Sequence, residues 1–142
     1  MSGIHYETNP SPDMLLQLES WFGGEWPNID ALVDASNRFP KPIVAITDGQ
    51  ALAGGLAFTI ARTPDDVAEQ EGVWINAVLV DPTFRRQGIA STLITQAEQA
   101  AALMKIDQLW VLTDVPSLYT SLGWEIVGTS ESDTILSKRF NT

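Results

Sequence analysis

The stretch Val80-Asp81-Pro82-Thr83-Phe84-Arg85-Arg86-Gln87-Gly88-Ile89-Ala90 holds the residues best suited to chemistry. An apolar strand pattern ends at Asp81-Pro82, a turn follows, and a strongly helical segment begins near Gly88. The first turn of a helix leaves backbone N–H groups unpaired and usually recruits carboxylates to its positive dipole end. Here Ile89 to Thr92 contains no Asp or Glu, and Arg85 and Arg86 stand in front of it. Free N–H groups, a dipole end and two guanidinium groups together make an anion site. Gly88 lets a ligand approach the backbone, and the small Ala90 keeps the helix start uncrowded. Gln87, Ile89 and Ser91 complete the set of binding candidates. The segment lacks the Gly-Lys-Ser/Thr of nucleotide-hydrolysing P-loops and the three-glycine dinucleotide fingerprint, so a pyrophosphate held by backbone is the expected anion. The competing reading is an ordinary strand-to-helix loop with two solvated arginines; its position between a buried strand and a strong helix weighs against that.

The elements that must hold this loop follow from periodicity. Ile4 to Glu7 reads as a short strand. Pro12 and Asp13 open a helix with Met14, Leu15, Leu18, Trp21 and Phe22 on its apolar face, ended by Gly23-Gly24. A second short helix is expected from Ile29 to Asn37 with Asn28 as its N-cap. Ile43 to Ile46 and Leu52 to Ala61 form a hairpin turned at Asp48-Gly49, and Val73 to Val80 is a strand buried on both faces. Gly88 to Met104 is the strongest helix, with Ile89, Leu93, Ile94, Ala97, Ala101 and Met104 inward. Leu109 to Leu112, Trp124 to Val127 and Thr134 to Ser137 are strands, and Pro116 to Leu122 a short helix stopped by Gly123. The fold class is α/β (α+β): one domain over residues 1–142 with a mixed, mostly antiparallel sheet of six to seven strands flanked by about four helices.

Composition narrows the function. The 142 residues carry 8 basic and 18 acidic side chains, a formal net charge of −10, which repels nucleic-acid phosphates and favours cationic partners such as amines. With no cysteine there is no thiol nucleophile or thiolate metal site, and the single histidine, His5, cannot build a histidine-rich one, so no metal is expected. His5 reads as an edge-strand residue. No apolar run approaches membrane-spanning length, and the first residues lack the pattern of a secretory signal; the expectation is a cytoplasmic protein with no membrane partner.

The sequence resembles the GNAT superfamily of N-acetyltransferases. The resemblance rests on Arg85-x-x-Gly88-x-Ala90 after the fourth strand, on Leu118-Tyr119-Thr120-Ser121-Leu122-Gly123-Trp124 near the C-terminus, and on their spacing. Within it, Glu25-Trp26-Pro27, Trp74 and Leu112-Thr113 are similar to a small bacterial group. The resemblance implies an acetyl-CoA-dependent N-acetyltransferase that moves an acetyl group to a primary amine, on a small molecule or a peptide N-terminus, by direct attack on the thioester. It implies that backbone groups of Val78, Leu79 and Val80 hold the pantetheine arm, that a backbone N–H near Val78 or Leu79 polarises the thioester carbonyl, and that loop N–H groups hold the pyrophosphate. Tyr119 falls where the family places its general acid; the alternative is a core tyrosine beside Leu118 and Leu122. Glu25, Asn76, Asp114 and Glu125 are the polar candidates for handling the amine proton, with Trp26 and Trp21 beside the acceptor, although Trp21 also fits the core face of its helix and Asp114 fits a helix cap. A non-catalytic acyl-CoA sensor is the alternative function, and a homodimer is left open.

Overall fold

In the computed structural model, which describes residues 3–25, 38–64 and 70–140, the chain opens with strand β1 (Ile4–Glu7) and helix α1 (Pro12–Glu25). Ser11 caps α1: its carbonyl accepts from the Leu15 N–H at 3.0 Å and its Oγ from the Met14 N–H at 3.3 Å. Strands β2 (Ile43–Thr47), β3 (Leu52–Arg62) and β4 (Glu71–Val80) follow, then a 3-10 turn at Pro82–Phe84 and helix α2 (Ile89–Leu103). Strand β5 (Gln108–Thr113), the short helix α3 (Pro116–Thr120), and strands β6 (Glu125–Ser130) and β7 (Asp133–Arg139) complete the order. All seven strands join one sheet in the order β1-β2-β3-β4-β5-β7-β6. Every neighbouring pair is antiparallel except β4 and β5. The mixed, mostly antiparallel sheet is the one the sequence leads to.

Where about four helices were expected, the described residues contain three α-helices. The short helix expected over Ile29 to Asn37, with its cap at Asn28, lies outside the described residues. Helix α1 runs through Gly23-Gly24 to Glu25 instead of stopping there. Each helical glycine costs about 1 kcal/mol relative to alanine, and the complete burial of Leu18 and Phe22, just before the pair, offsets it. The β2–β3 hairpin turns where Asp48-Gly49 predicts, but the left-handed residue is Gln50, at φ 67°, not Gly49. This is a three-residue loop ending in a left-handed position rather than a two-residue turn.

Helices α1 and α2 cover opposite faces of the sheet. Ile89, Leu93, Ile94, Ala97 and Ala101 of α2 are buried in the larger core with Leu56, Ile75, Leu109 and Leu136. Met104, expected on that face, is instead the C-cap and 40% exposed, because the helix ends before the residue can turn inward. On the other face Leu18 and Phe22 of α1 pack with Val44, Leu52, Ala57 and Ala77. No described helix is long and apolar enough to cross a membrane. The seat of α1 depends on Gly55, where an added Cβ would overlap Leu18 Cδ1. Gly55→Ala is therefore expected to lower stability by about 1–3 kcal/mol, read as a lower Tm. An unchanged Tm would show that α1 can lift off the sheet at no cost.

Candidate active site

The sheet opens at its centre. β4 and β5 pair only from Val73 to Ile75, against Leu109 to Val111, and beyond Ile75 no residue of β4 has a β5 partner. The cause lies in β4 itself. On β3, Ala57 pairs with Ala77 and its neighbour Phe58 with Ile75, so Asn76 is an extra residue, a β-bulge. The inside-outside alternation slips by one across it. Val73 and Ile75 belong to the α2-side core, Ala77 and Leu79 to the α1-side cluster, and Val78 and Val80 again face α2. Asn76 is exposed although it sits in the middle strand of a seven-stranded sheet.

Past the bulge, β4 keeps its partner on one side only. The Asp81 N–H donates to the Ala53 carbonyl at 2.9 Å, which fixes the hydrogen-bonding alternation with β3. Ala77, Leu79 and Asp81 thus turn their backbone groups toward β3, while Val78 and Val80 turn theirs toward the gap. Arg85 confirms the direction by donating its Nε–H to the Val80 carbonyl at 3.3 Å. Of the three residues expected to hold an extended ligand arm, Val78 and Val80 present backbone to the gap. Leu79 lies against the opposite face, lining a hollow there with Trp21.

At the mouth of the gap stands the start of α2. Asp81 accepts the Thr83 N–H at 2.8 Å and caps the 3-10 turn. The chain then passes through Arg86 at φ 67° and Gly88 at φ 77°. Gly88 is the N-cap and supplies no side-chain bond; the first intrahelical bond runs from the Thr92 N–H to the Gly88 carbonyl at 3.0 Å. The N–H groups from Arg86 to Ser91 consequently have no acceptor among the described residues. Two left-handed positions in three residues turn successive N–H groups into a concave, anion-binding array. Arg86 pays for its conformation without being a glycine, and strain of that kind gathers at functional sites.

A cavity of about 400 Å³ fills the gap, walled by Asn76, Ala77, Val78 and Val80 on one side, by Val111 to Val115 on the other, and by Leu118 and Tyr119 of α3. It shares Val80, Ala90 and Leu118 with a second hollow of about 360 Å³ over Arg85, Arg86, Gly88, Ile89 and Ser91. One track thus leads from the anion array to Asn76. Gln87 is exposed and lines neither part. Tyr119 is 3% exposed, with its ring edge-on to Trp124 at a centroid distance of 5.2 Å. Burial pushes its phenol well above the usual tyrosine range. The hydroxyl has no hydrogen-bond partner among the described residues.

The model of the Acetyltransferase (GNAT) family matches residues 9–124. The chain belongs to this family. Solved structures with the same fold include Arabidopsis thaliana NAA60 in complex with a bisubstrate analogue, at TM-score 0.74 and 16% identity, covering 98% of this chain and 99% of that one. The same protein in complex with acetyl-CoA gives TM-score 0.71 and 17% identity, covering 97% and 100%. A GNAT-family acetyltransferase from Listeria monocytogenes gives TM-score 0.61 and 16% identity, covering 96% and 95%. At these identities the likeness is one of fold. No curated protein matches the sequence.

The remaining candidates of this GNAT-family chain separate cleanly. Asp114 is exposed and lines the cavity. It does not cap α3, whose N-cap is Val115 with no side-chain bond. Beside it the cavity is lined by Asp133, which the sequence reading passed over; the pairing of Thr113 with Thr134 brings these two carboxylate positions to the same end of the sheet. Leu112 and Val115, 47% and 50% exposed, give the same wall an apolar surface. Glu125 lies outside the cavity, on edge strand β6 opposite Ser137. His5 sits at the far edge of the sheet, bonded to Asp48 at 2.9 Å. Glu25 ends α1, and Trp26 lies outside the described residues.

Proposed function

We propose that this member of the GNAT family moves the acetyl group of acetyl-CoA to a primary amine. The observation that carries the reading is the track between β4 and β5, which joins an array of unpartnered N–H groups to the wall that holds Tyr119. The pyrophosphate sits on the N–H groups of Arg86 to Ser91, with Arg85 and Arg86 beside it. The arm lies along Val78 and Val80 as an extra strand would. The thioester lies near Asn76, where the Val78 N–H donates to its carbonyl oxygen. The nitrogen attacks the carbonyl carbon, the C–N bond forms, the C–S bond breaks, and the sulfur leaves with the electron pair. Tyr119 donates a hydrogen bond to that sulfur. Complexes of fold relatives with acetyl-CoA and with bisubstrate analogues support the reading.

The acceptor is cationic before it reacts. Asp114 and Asp133 at the cavity and the net charge of −10 favour a protonated amine, and a water beside either carboxylate takes its proton. A peptide N-terminus and a small polyamine both meet this requirement. Across a panel of amines assayed with acetyl-CoA, cationic acceptors should rank first. For the best of them, kcat/KM should fall as salt rises from about 0.1 M to 1 M, where the Debye length shrinks from about 10 Å to 3 Å. A neutral or anionic best acceptor, or a flat salt response, overturns this assignment.

The strain at Arg86 supplies a further expectation. A non-glycine residue in the left-handed region costs roughly 1–2 kcal/mol, against roughly 0.5–1 kcal/mol of extra chain entropy for glycine. Arg86→Gly should hold or raise Tm while weakening CoA binding about tenfold, through loss of one charge-assisted contact. Equal CoA affinity by calorimetry would show that Arg86 is held in that conformation for a reason other than the anion.

A further inference from the structure

Behind Tyr119 lies a polar cluster that the reaction itself does not use. Glu98, on the middle of α2, accepts the Trp124 Nε1–H on one carboxylate oxygen at 3.1 Å and the Lys138 ammonium on the other at 2.7 Å. Lys138 also donates to the Leu122 carbonyl, at 2.7 Å, in the turn that ends α3. The Glu98 and Lys138 side chains are only 14% and 26% exposed. The turn they grip is the one that carries Tyr119. The Tyr119 carbonyl accepts the N–H groups of Leu122 and Trp124, at 2.9 and 3.1 Å, and the Trp124 indole stands edge-on to the Tyr119 ring. Gly123, at φ 91°, makes the reversal, and a Cβ there would lie 3.7 Å from the Lys138 Nζ.

We propose that Glu98 is a positioning residue for Tyr119: by holding Trp124 and Lys138 it fixes the tyrosine ring relative to α2, the helix whose first turn forms the anion array. A short helix of five residues has little stability of its own, so α3 takes its place from what it is tied to. Glu98 ties it to α2 about nine residues, or roughly 14 Å of helix, below the Ile89 end. The distance between the pyrophosphate and the hydroxyl is thereby set within one rigid element. A partly buried carboxylate that joins two donors from different elements over-determines their geometry in the way a supporting shell must. This inference rests on the reading of Tyr119 as the donor to the leaving sulfur.

The test uses Glu98→Gln, which keeps the side chain's length but faces one of the two donors with an NH₂ group. The chain has two tyrosines, so ring-labelled tyrosine gives two sets of NMR signals, and Tyr119→Phe assigns them. The Trp124 ring current shifts the Tyr119 signals away from those of a free tyrosine. In Glu98→Gln these signals should move toward free-tyrosine values, CoA affinity should stay within about twofold, and kcat should fall about tenfold. In a Tyr119→Phe background the same substitution should leave kcat nearly unchanged, since a residue acting through another cannot add to its loss. Unmoved Tyr119 signals, or kcat losses that simply multiply, overturn the proposal. If Glu98→Gln fails to fold, Glu98→Gln with Lys138→Gln removes both charges together and enters the same cycle. Wild-type kcat in Tyr119→Phe alone would refute the role of the tyrosine, while the NMR signals would still decide whether Glu98 holds it.

Discussion

Gly88→Glu is expected to weaken CoA binding on the order of 100-fold while the protein stays folded. A Cβ at Gly88 meets no atom within 4 Å, so the new side chain has room, and that room adjoins the proposed anion site. Two unit charges about 4 Å apart repel by about 4 kcal/mol at an effective dielectric of 20, and an exposed site screens part of this to roughly 2–3 kcal/mol. The left-handed backbone at φ 77° adds about 1 kcal/mol of folding strain for any residue with a Cβ. Gly88→Ala carries that strain without the charge and is the control. Calorimetry should find a far smaller loss of CoA affinity in Gly88→Ala than in Gly88→Glu. Equal losses would make the backbone conformation, not the anion, the determinant.

Tyr119→Phe is expected to lower kcat and kcat/KM together by about 10- to 100-fold, with CoA affinity retained. A thiol with a reference pKa near ~8.5 cannot fully deprotonate a phenol near ~10, and burial raises the Tyr119 phenol further. In the proposed reaction Tyr119 is therefore a hydrogen-bond donor to the charge growing on sulfur, and the proton that ends there comes from water. Two consequences separate this role from packing. The phenol stays neutral up to at least about pH 10, its ordinary pKa, so the substitution should lower the plateau of the kcat–pH profile without moving its limbs. The hydroxyl lacks a partner among the described residues, so its loss should leave Tm unchanged or slightly higher. A wild-type kcat with a lowered Tm would make Tyr119 a core residue only.

Part of the geometry around this cavity is legible in the sequence. The anion array was legible because its signals are local: a carboxylate-free helix start, two arginines and one glycine, all within a few residues. The strands and the long helix were legible because α2 buries one continuous face and β3 is an unbroken apolar run buried on both faces. What escaped reading depends on residues far apart in the chain. The bulge at Asn76 leaves no mark in an apolar run, because it is defined by the partner strand. Val78 and Val80 differ from Leu79 only through the hydrogen-bonding alternation set by Asp81 and Ala53. Asp133 joins Asp114 only because β7, not β6, lies next to β5. Glu98 looks like one more polar residue on a helix until Trp124 and Lys138 fold onto it.

The most direct measurement follows acetyl transfer itself. Acetyl-CoA with an isotopically labelled acetyl group is incubated with the protein and a mixture of amines, and free CoA thiol and labelled N-acetyl products are quantified together. The expected result is amine-dependent thiol release matched one for one by labelled amide, and sharply reduced in Gly88→Glu at subsaturating acetyl-CoA. Tight CoA binding with no labelled amide from any cationic amine would contradict it, and would make the protein a sensor of acyl-CoA rather than a transferase.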